Sequence, residues 1–557
     1  MGFFKIEAYI DGLYNSSKRN LVFRQIKLDE IKFLIDGMQL TYMIMFCYLN
    51  GQYGGNYDTF YEYLIKLFTK LKPSIHLIVF KSDKEKDSKK RLRMERYAQD
   101  LNQNPMSFEI DKLKFNPGLF NKSVIIQAIK DLNISYLETN NNEFLAYYAN
   151  GFNSTKSLYT IFSKDSYYNV YDLQKGYFSW SYGMEFIKKF EQFDDNTSLP
   201  IFYLCDFLNF VQLKHESWIY FCILNGDKDE IERNLEFIGS KKFDYLLNSM
   251  RMFELKNLRN NFRNIRKFYS FGMLQTIDKF IKNFKFELEY CFEKYEFDVN
   301  LRYIESLKMN KQKLMPCLIE DADQSSVFDS ANVLLILDEI FSVLFKKGES
   351  VKLVFRDKNF NLIEKEFITK NPNSRNISNL LESKDAPDNI RALLVSLCML
   401  EKEHVNLLNA IIINMMIIHL KKDRILDLYS CRDNIGEIGT NLAEKYDQIL
   451  NRIDETNFNH ETIKLVHLIN KFQAIYYVTN ILNKLVNPSV ECITVNLVLN
   501  GYFVTMYLKY LNIRNEIDKI ISENKFLYKC KNHLFTLLSG VKNHYNCLLF
   551  KQLGIDE

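Results

Sequence analysis

Three groups of residues in this sequence have the types and spacing of side chains that could act together. Near the carboxyl end, Cys530-x-x-His533 and His544-x-x-Cys547 form a mirrored pair with ten residues between the two histidines. Zinc sites favour two close ligand pairs joined by a longer connection. Gly540 is expected to break the helix between them so that two short helices fold back. The competing and commoner outcome is two core thiols and two helix-face imidazoles in an apolar segment. A second group is the basic run Lys84, Lys86, Lys89, Lys90, Arg91, Arg93 and Arg96. Contacts from such a run to phosphates supply salt-dependent, sequence-independent affinity for DNA or RNA. Lys89, Lys90, Arg93 and Arg96 are the candidate nucleic-acid-binding residues. Glu85, Asp87 and Glu95 are interleaved with them, as on an ordinary solvated helix, and that plainer reading carries more weight. The third group, Asp36, Lys81, Glu138 and Asp165, stands at or just after the ends of short apolar runs. His460 and His467 have no further ligands at metal-site spacing, and no Gly-rich phosphate loop or nucleophile elbow is present. Aromatic clusters such as Phe268, Tyr269 and Phe271 fit helix packing better than base stacking.

The elements that must position the third group are legible from periodicity. Lys32 to Ile35, Ile75 to Phe80, Ile134 to Leu137 and Leu158 to Phe162 read as short buried strands. Between them, Tyr57 to Leu71 reads as an amphipathic helix with Phe60, Leu64, Phe68 and Leu71 on one stripe. Val124 to Leu132 reads as another helix. Strands separated by helices predict an α/β fold with a central, mainly parallel sheet flanked by helices. In such sheets ligands gather at the carboxyl ends of the strands. After the polar stretch Asp194 to Ser198 the pattern becomes largely helical. It is interrupted by an expected hairpin from Val351 to Phe367, turning around Asp357-Lys358-Asn359, and by a linker candidate from Asn371 to Asn389. The expected domains are residues 1–235, a helical region with a hairpin at 236–370, and a mostly α-helical carboxyl-terminal domain at 390–557.

Composition sets the outer limits. A chain of 557 residues predicts two or three domains. With 47% hydrophobic residues, 45 Phe and 34 Tyr, it can bury enough apolar surface to fold, which argues against disorder. A net charge of +4 provides no whole-molecule field for concentrating nucleic acid, so such a role would rest on a local patch. Ten cysteines scattered through apolar runs, with no leader pattern after Met1, predict free thiols and an intracellular protein, nuclear or cytoplasmic. Myristoylation is not expected, because Ile6 stands where Ser or Thr is required. The most apolar stretch, Val405 to Ile418, contains Asn409 and Asn414 and is shorter than the roughly 20 residues of a membrane span. It reads as a buried helix, and no membrane association is expected.

Several blocks, taken in order, resemble a known family. Met1-Gly2-Phe3-Phe4, Tyr9-Ile10-Asp11 and Leu34-Ile35-Asp36-Gly37 are similar to the amino-terminal block of XPG/flap-endonuclease (PIN-like) nucleases. Gly54-Gly55-Asn56-Tyr57-Asp58-Thr59-Phe60 and the run Ser163 to Leu173 resemble the Asteroid branch of that superfamily. Phe221 to Asp227 resembles the family's last acidic motif, with Asn225-Gly226 altered. The match covers about the first 235 residues. It implies a PIN-like fold and seven carboxylates that hold two Mg²⁺ ions, which activate water and stabilise the leaving oxygen in phosphodiester cleavage.

Carried over position by position, three of the seven carboxylates are retained: Asp36, Asp165 and Asp227. The second position is Lys81, with Asp83 two residues late. The third and fourth fall on Asn140 and Asn142, flanked by Glu138 and Glu143, and the sixth falls on Tyr167. A cation at ~4 Å from a divalent ion costs several kcal/mol even at an effective dielectric near 20. What the resemblance implies is therefore a degraded nuclease that holds at most one Mg²⁺ weakly and works as a binding or scaffold protein with DNA, RNA or protein partners. Two alternatives stand beside it. One is an active Mg²⁺-dependent, structure-specific endonuclease using Asp83, Glu138 and Glu143 after register shifts. The other is a pure protein-interaction module.

Overall fold

In the computed structural model, the described residues are 6–48, 53–81, 119–139, 144–150, 159–163, 168–169, 171–192, 194, 197–215, 218, 304, 307–308, 312–315, 324, 326–357, 362–369, 376–384, 386–401, 404–422, 436–451 and 460–552. They fall into two compact units that alternate along the chain. One comprises Met1–Cys47, Lys66–Lys84 and Ile129–Phe297; the other comprises Tyr48–Ile65, Glu85–Ala128 and Asp298–Glu557. The division does not follow a single cut near residue 235, because two early segments belong with the carboxyl-terminal half.

The first unit is built on a seven-stranded sheet in the order β1-β7-β6-β5-β2-β3-β4. Its strands are β1 (Phe23–Lys27), β2 (Phe33–Asp36), β3 (Ile75–Lys81), β4 (Tyr136–Thr139), β5 (Thr160–Ser163), β6 (Tyr177–Ser179) and β7 (Ser198–Phe202). The five from β6 to β4 run parallel, while β7 pairs antiparallel with both β6 and β1. The four strands expected from apolar runs are β2 to β5, each within two residues of its expected place. The helices of this unit include α1 (Ile6–Tyr14), α2 (Arg19–Val22) and α3 (Gly37–Cys47). The helix α4 (Tyr57–Leu71), of which residues 57–65 belong to the second unit, keeps the expected bounds, and Phe60, Leu64, Phe68 and Leu71 are all buried. It is followed by α5 (Asn121–Asp131), of which residues 121–128 belong to the second unit, and by α6 (Phe144–Ala149), α7 (Trp180–Lys188) and α8 (Leu204–Val211) in the first.

The topology has one reversal. The chain lays down β2, β3 and β4 in one direction, then crosses back to add β5 on the far side of β2. The carboxyl ends of β2 and β5 therefore flank the switch point, where open α/β sheets place their ligands.

The second unit has a three-stranded sheet, β10-β9-β8, from β8 (Gln312–Leu314), β9 (Ser350–Arg356) and β10 (Leu362–Ile368). β9 and β10 form the expected hairpin, in antiparallel register from Leu362↔Arg356 to Ile368↔Ser350. Its helices are α9 (Ala331–Leu344), α10 (Asn376–Glu382), α11 (Asp388–Glu401), α12 (Val405–Lys421), α13 (Gly436–Leu450), α14 (His460–Val486), α15 (Gly501–Lys509), α16 (Leu511–Glu523) and α17 (Lys525–Gln552). The apolar stretch from Val405 is indeed a buried helix. In α12 all but one residue between Leu407 and Leu420 are buried, as expected of a helix apolar around its whole circumference. No helix among the described residues is long and apolar enough to cross a membrane.

Within the linker expected from Asn371 to Asn389, residues 376–382 instead form α10, with Ile377, Ser378, Leu380 and Leu381 buried, while residues 371–375 and 385 lie outside the described residues. The cause is a long-range cap. Glu339, itself buried, accepts hydrogen bonds from the Ile377 N–H (2.8 Å), the Ser378 N–H (2.9 Å) and the Ser378 hydroxyl (2.8 Å). The orphan amide donors of the first turn are thereby satisfied by a residue 38 positions away.

Candidate functional site at the carboxyl edge of the sheet

Each strand of the parallel core delivers its last residue to one edge. Register places Ser179 beside Ser163, Ser163 next to the end of β2 at Asp36, and Lys81 beside Thr139. The row along that edge is thus Ser179, Ser163, Asp36, Lys81 and Thr139.

Asp36 is fully buried and its two oxygens serve the protein itself. Oδ1 accepts the Gln39 N–H at 3.2 Å, and Oδ2 accepts the Ser163 hydroxyl at 3.2 Å. Gln39 is the third residue of α3, so Asp36 is the N-cap of the helix that starts directly after β2. The negative side chain also lies at the positive end of the helix dipole. Gly37 has a separate reason to be there: a Cβ would sit 2.8 Å from the Phe80 ring and 3.0 Å from Ile78, so only glycine lets α3 start this close to β3. Ser163 is held from the other side, where the Tyr177 hydroxyl donates to its carbonyl at 2.8 Å.

Replacing Asp36 separates these roles. Asp36→Ala leaves the Gln39 amide and Ser163 hydroxyl without their acceptor, and is expected to cost about 2 kcal/mol. Asp36→Asn retains an equivalent cap and an oxygen, and is expected to cost less than about 1 kcal/mol. Urea unfolding of the two variants checks the ranking.

The block after β5 is anchored by packing. Tyr168, Asn169, Tyr171 and Leu173 are buried, and the Trp218 indole N–H donates to the Asn169 carbonyl at 3.0 Å. Asn150 links the ends of two connections: its Nδ2 donates to the Asp172 carbonyl at 2.9 Å, and its Oδ1 accepts the Gln174 N–H at 3.1 Å. Sequence reasoning missed Ser163, Trp218 and Asn150. Ser163 carries a usable signal, since it directly follows the expected strand Leu158 to Phe162.

Of the candidate carboxylates, Asp36 is described in full, and Asp165 and Asp227 lie outside the described residues. So do Asp83, Asn140, Asn142, Glu143, Tyr167, Lys89, Lys90, Arg93 and Arg96. Lys81 and Glu138 are described as the last and penultimate-position residues of their strands, by backbone alone. Among the described residues no three His, Cys, Asp or Glu side chains gather at metal-binding distance. The described part of the edge presents one capping carboxylate, Asp36, with two serines and a threonine in the same row.

The zinc expectation is corrected by the backbone. α17 runs without a break through Gly540. A helix rises 1.5 Å per residue, so the 14 positions from Cys530 to His544 span about 21 Å. Cys530, His533, His544 and Cys547 therefore do not converge on one ion. Cys530 is buried in a stripe with Leu527, Leu534, Leu538 and Val541, whereas His533 is exposed. A mid-helix glycine costs only about 1 kcal/mol relative to alanine, and burial of that stripe outweighs it.

Comparison with protein families finds no family model that matches this chain. No curated protein matches it either.

Proposed function

We propose that this protein is an Asteroid-like member of the XPG/PIN-like nucleases whose nuclease site is degraded, and that it acts by binding rather than by cleavage. The observation that carries the reading is the state of Asp36 at the switch point. The first carboxylate of the family pattern is fully buried, caps α3 and accepts a second bond from Ser163. The next strand, β3, ends in Lys81 where the family pattern needs an anion. The parallel sheet order and its single reversal between β2 and β5 agree with a nuclease-type scaffold. The family's pattern of residues, and not a matched relative, supplies the nucleic-acid part of the proposal. Its carriers are the basic residues Lys89, Lys90, Arg93 and Arg96.

The test uses the full chain with a 5′-flap DNA substrate and Mg²⁺ or Mn²⁺. No metal-dependent cleavage is expected, together with binding that weakens steeply from low to high salt. Replacing Lys89, Lys90, Arg93 and Arg96 by Ala should flatten that salt dependence. Cleavage abolished by Asp36→Asn, the variant that preserves the cap, would overturn the proposal in favour of an active nuclease. Absence of salt-dependent binding would favour a protein-interaction module.

A further inference from the structure

The Gly54 to Phe60 run does not contribute to the sheet-edge site; it lies wholly within the helical unit. There it meets three helices mainly through polar groups. The backbone of Asn56 bridges to Asn500, the Gly501 N–H donates to the Gly55 carbonyl at 2.8 Å, and the Tyr57 N–H donates to the Leu499 carbonyl at 3.2 Å. Asn56 Oδ1 accepts the Tyr502 N–H at 2.8 Å, which caps the start of α15. From α14, Gln473 donates to the Gly54 carbonyl and accepts the Tyr57 hydroxyl at 2.5 Å. Asp58 completes the set: Oδ2 accepts the Tyr446 hydroxyl of α13 at 2.6 Å, and Oδ1 accepts Nδ2 of Asn500 at 2.6 Å. Tyr57, Asp58, Phe60, Tyr446, Gln473 and Asn500 are all at most 2% exposed.

We propose that Tyr53–Phe60 is a strap that closes the helical unit as one all-or-none device, with Asp58 as its lock between α13 and the start of α15. Three features distinguish a strap from ordinary core. Successive residues, from Gly54 to Asp58, are tied by hydrogen bonds, and water can replace each bond when the segment lifts off. The bonds share partners: Asn500 serves Asp58 through Nδ2 and the Phe503 N–H through Oδ1. Gln473 likewise serves Gly54, Tyr57 and Asn470. Losing one bond therefore misplaces the donor or acceptor of the next, which makes the network cooperative. Burial pushes the Asp58 carboxyl up from its ordinary range, against the donors Tyr446, the Thr59 N–H and Asn500 and the charge of Lys422. Glu62 and Asp447 add negative charge around Tyr446.

The test is a swap in the full chain, read by amide hydrogen exchange at Tyr57, Gly501 and Tyr502 and by apparent melting temperature. Asn500→Asp sets two carboxylates face to face and is expected to speed exchange at all three amides together, by about tenfold or more. It should also lower the melting temperature by at least about 5 °C. Adding Asp58→Asn to Asn500→Asp restores one amide donor facing one carboxylate and should recover most of both losses. Asp58→Asn alone keeps an acceptor and should move the three amides together but less. Strictly additive effects of the two substitutions, or a change in exchange confined to one of the three amides, would overturn the strap.

Discussion

Gly501→Ala is expected to destabilise the helical unit by about 3 kcal/mol or more, lowering its apparent melting temperature by roughly 6–12 °C. Gly501 opens α15 directly after its N-cap, Asn500. A Cβ there would lie 2.0 Å from the Tyr53 carbonyl oxygen, 2.9 Å from the Tyr53 carbonyl carbon and 3.1 Å from the Gly54 carbonyl carbon. All three atoms are backbone, so no rotamer change relieves the overlap. The contact also carries the Gly501 N–H bond to Gly55, and moving α15 away would break it. Gly540→Ala is the matched control, because a Cβ there meets nothing within 4 Å and the residue lies inside α17. That change should leave stability unaltered or raise it by up to about 1 kcal/mol. Thermal unfolding of both variants decides the matter, and equal effects would show that helix propensity, not backbone contact, sets the outcome.

Glu339→Ala should be of similar severity. Its carboxylate holds two backbone amides and one hydroxyl at the start of α10, and each buried group left unpaired costs about 1–3 kcal/mol. A loss of about 3–5 kcal/mol follows. Glu339→Gln keeps one acceptor oxygen and should lose less. The variants also differ in pH dependence. Burial raises the Glu339 carboxyl above its ordinary 4.5, the three hydrogen bonds pull it down, and Asp338 adds to the rise. A raised value in the folded state means that its contribution is fully present below 4.5 and is lost as pH rises through the folded value. Wild-type stability should thus fall across that window relative to Glu339→Gln, which has no proton to lose. Urea midpoints measured on both sides of the window would reveal the difference. A constant offset between the two proteins would mean that Glu339 does not titrate in it.

How far the sequence could be read depended on whether each element announces itself locally. β2 to β5 are short buried strands that read as apolar runs, and α4 carries its stripe at helical spacing. β1 hides because, of Phe23-Arg24-Gln25-Ile26-Lys27, only Phe23 is buried. β7 hides because Pro200 argues against a strand; it is tolerated where β6 pairs with β7 only at Phe202. α10 was masked by the prolines around it and exists through Glu339, a partner no local window contains. At the site, the place of Asp36 at a strand end was legible, but its capping bond to α3 and its bond to Ser163, 127 residues away, required the fold. The motif from Gly54 to Phe60 reads in the sequence as a family-like block. Its role in tying helices together was not legible, since its helix partners Tyr446, Asn500 and Gln473 lie 388, 442 and 416 residues downstream of Asp58 or Tyr57.

That distance has a consequence for the protein's birth. Tyr57 leaves the ribosome 416 residues before Gln473, which at about 5–20 residues per second is a wait of roughly 20–80 s. Throughout that interval Tyr53 lacks its ring partner Tyr502 and Tyr57 lacks Gln473. The nascent chain thus displays an aromatic segment for far longer than a domain assembled from neighbouring residues would. Its yield in a cell should be unusually sensitive to holding chaperones and to the pace of translation across the last hundred codons.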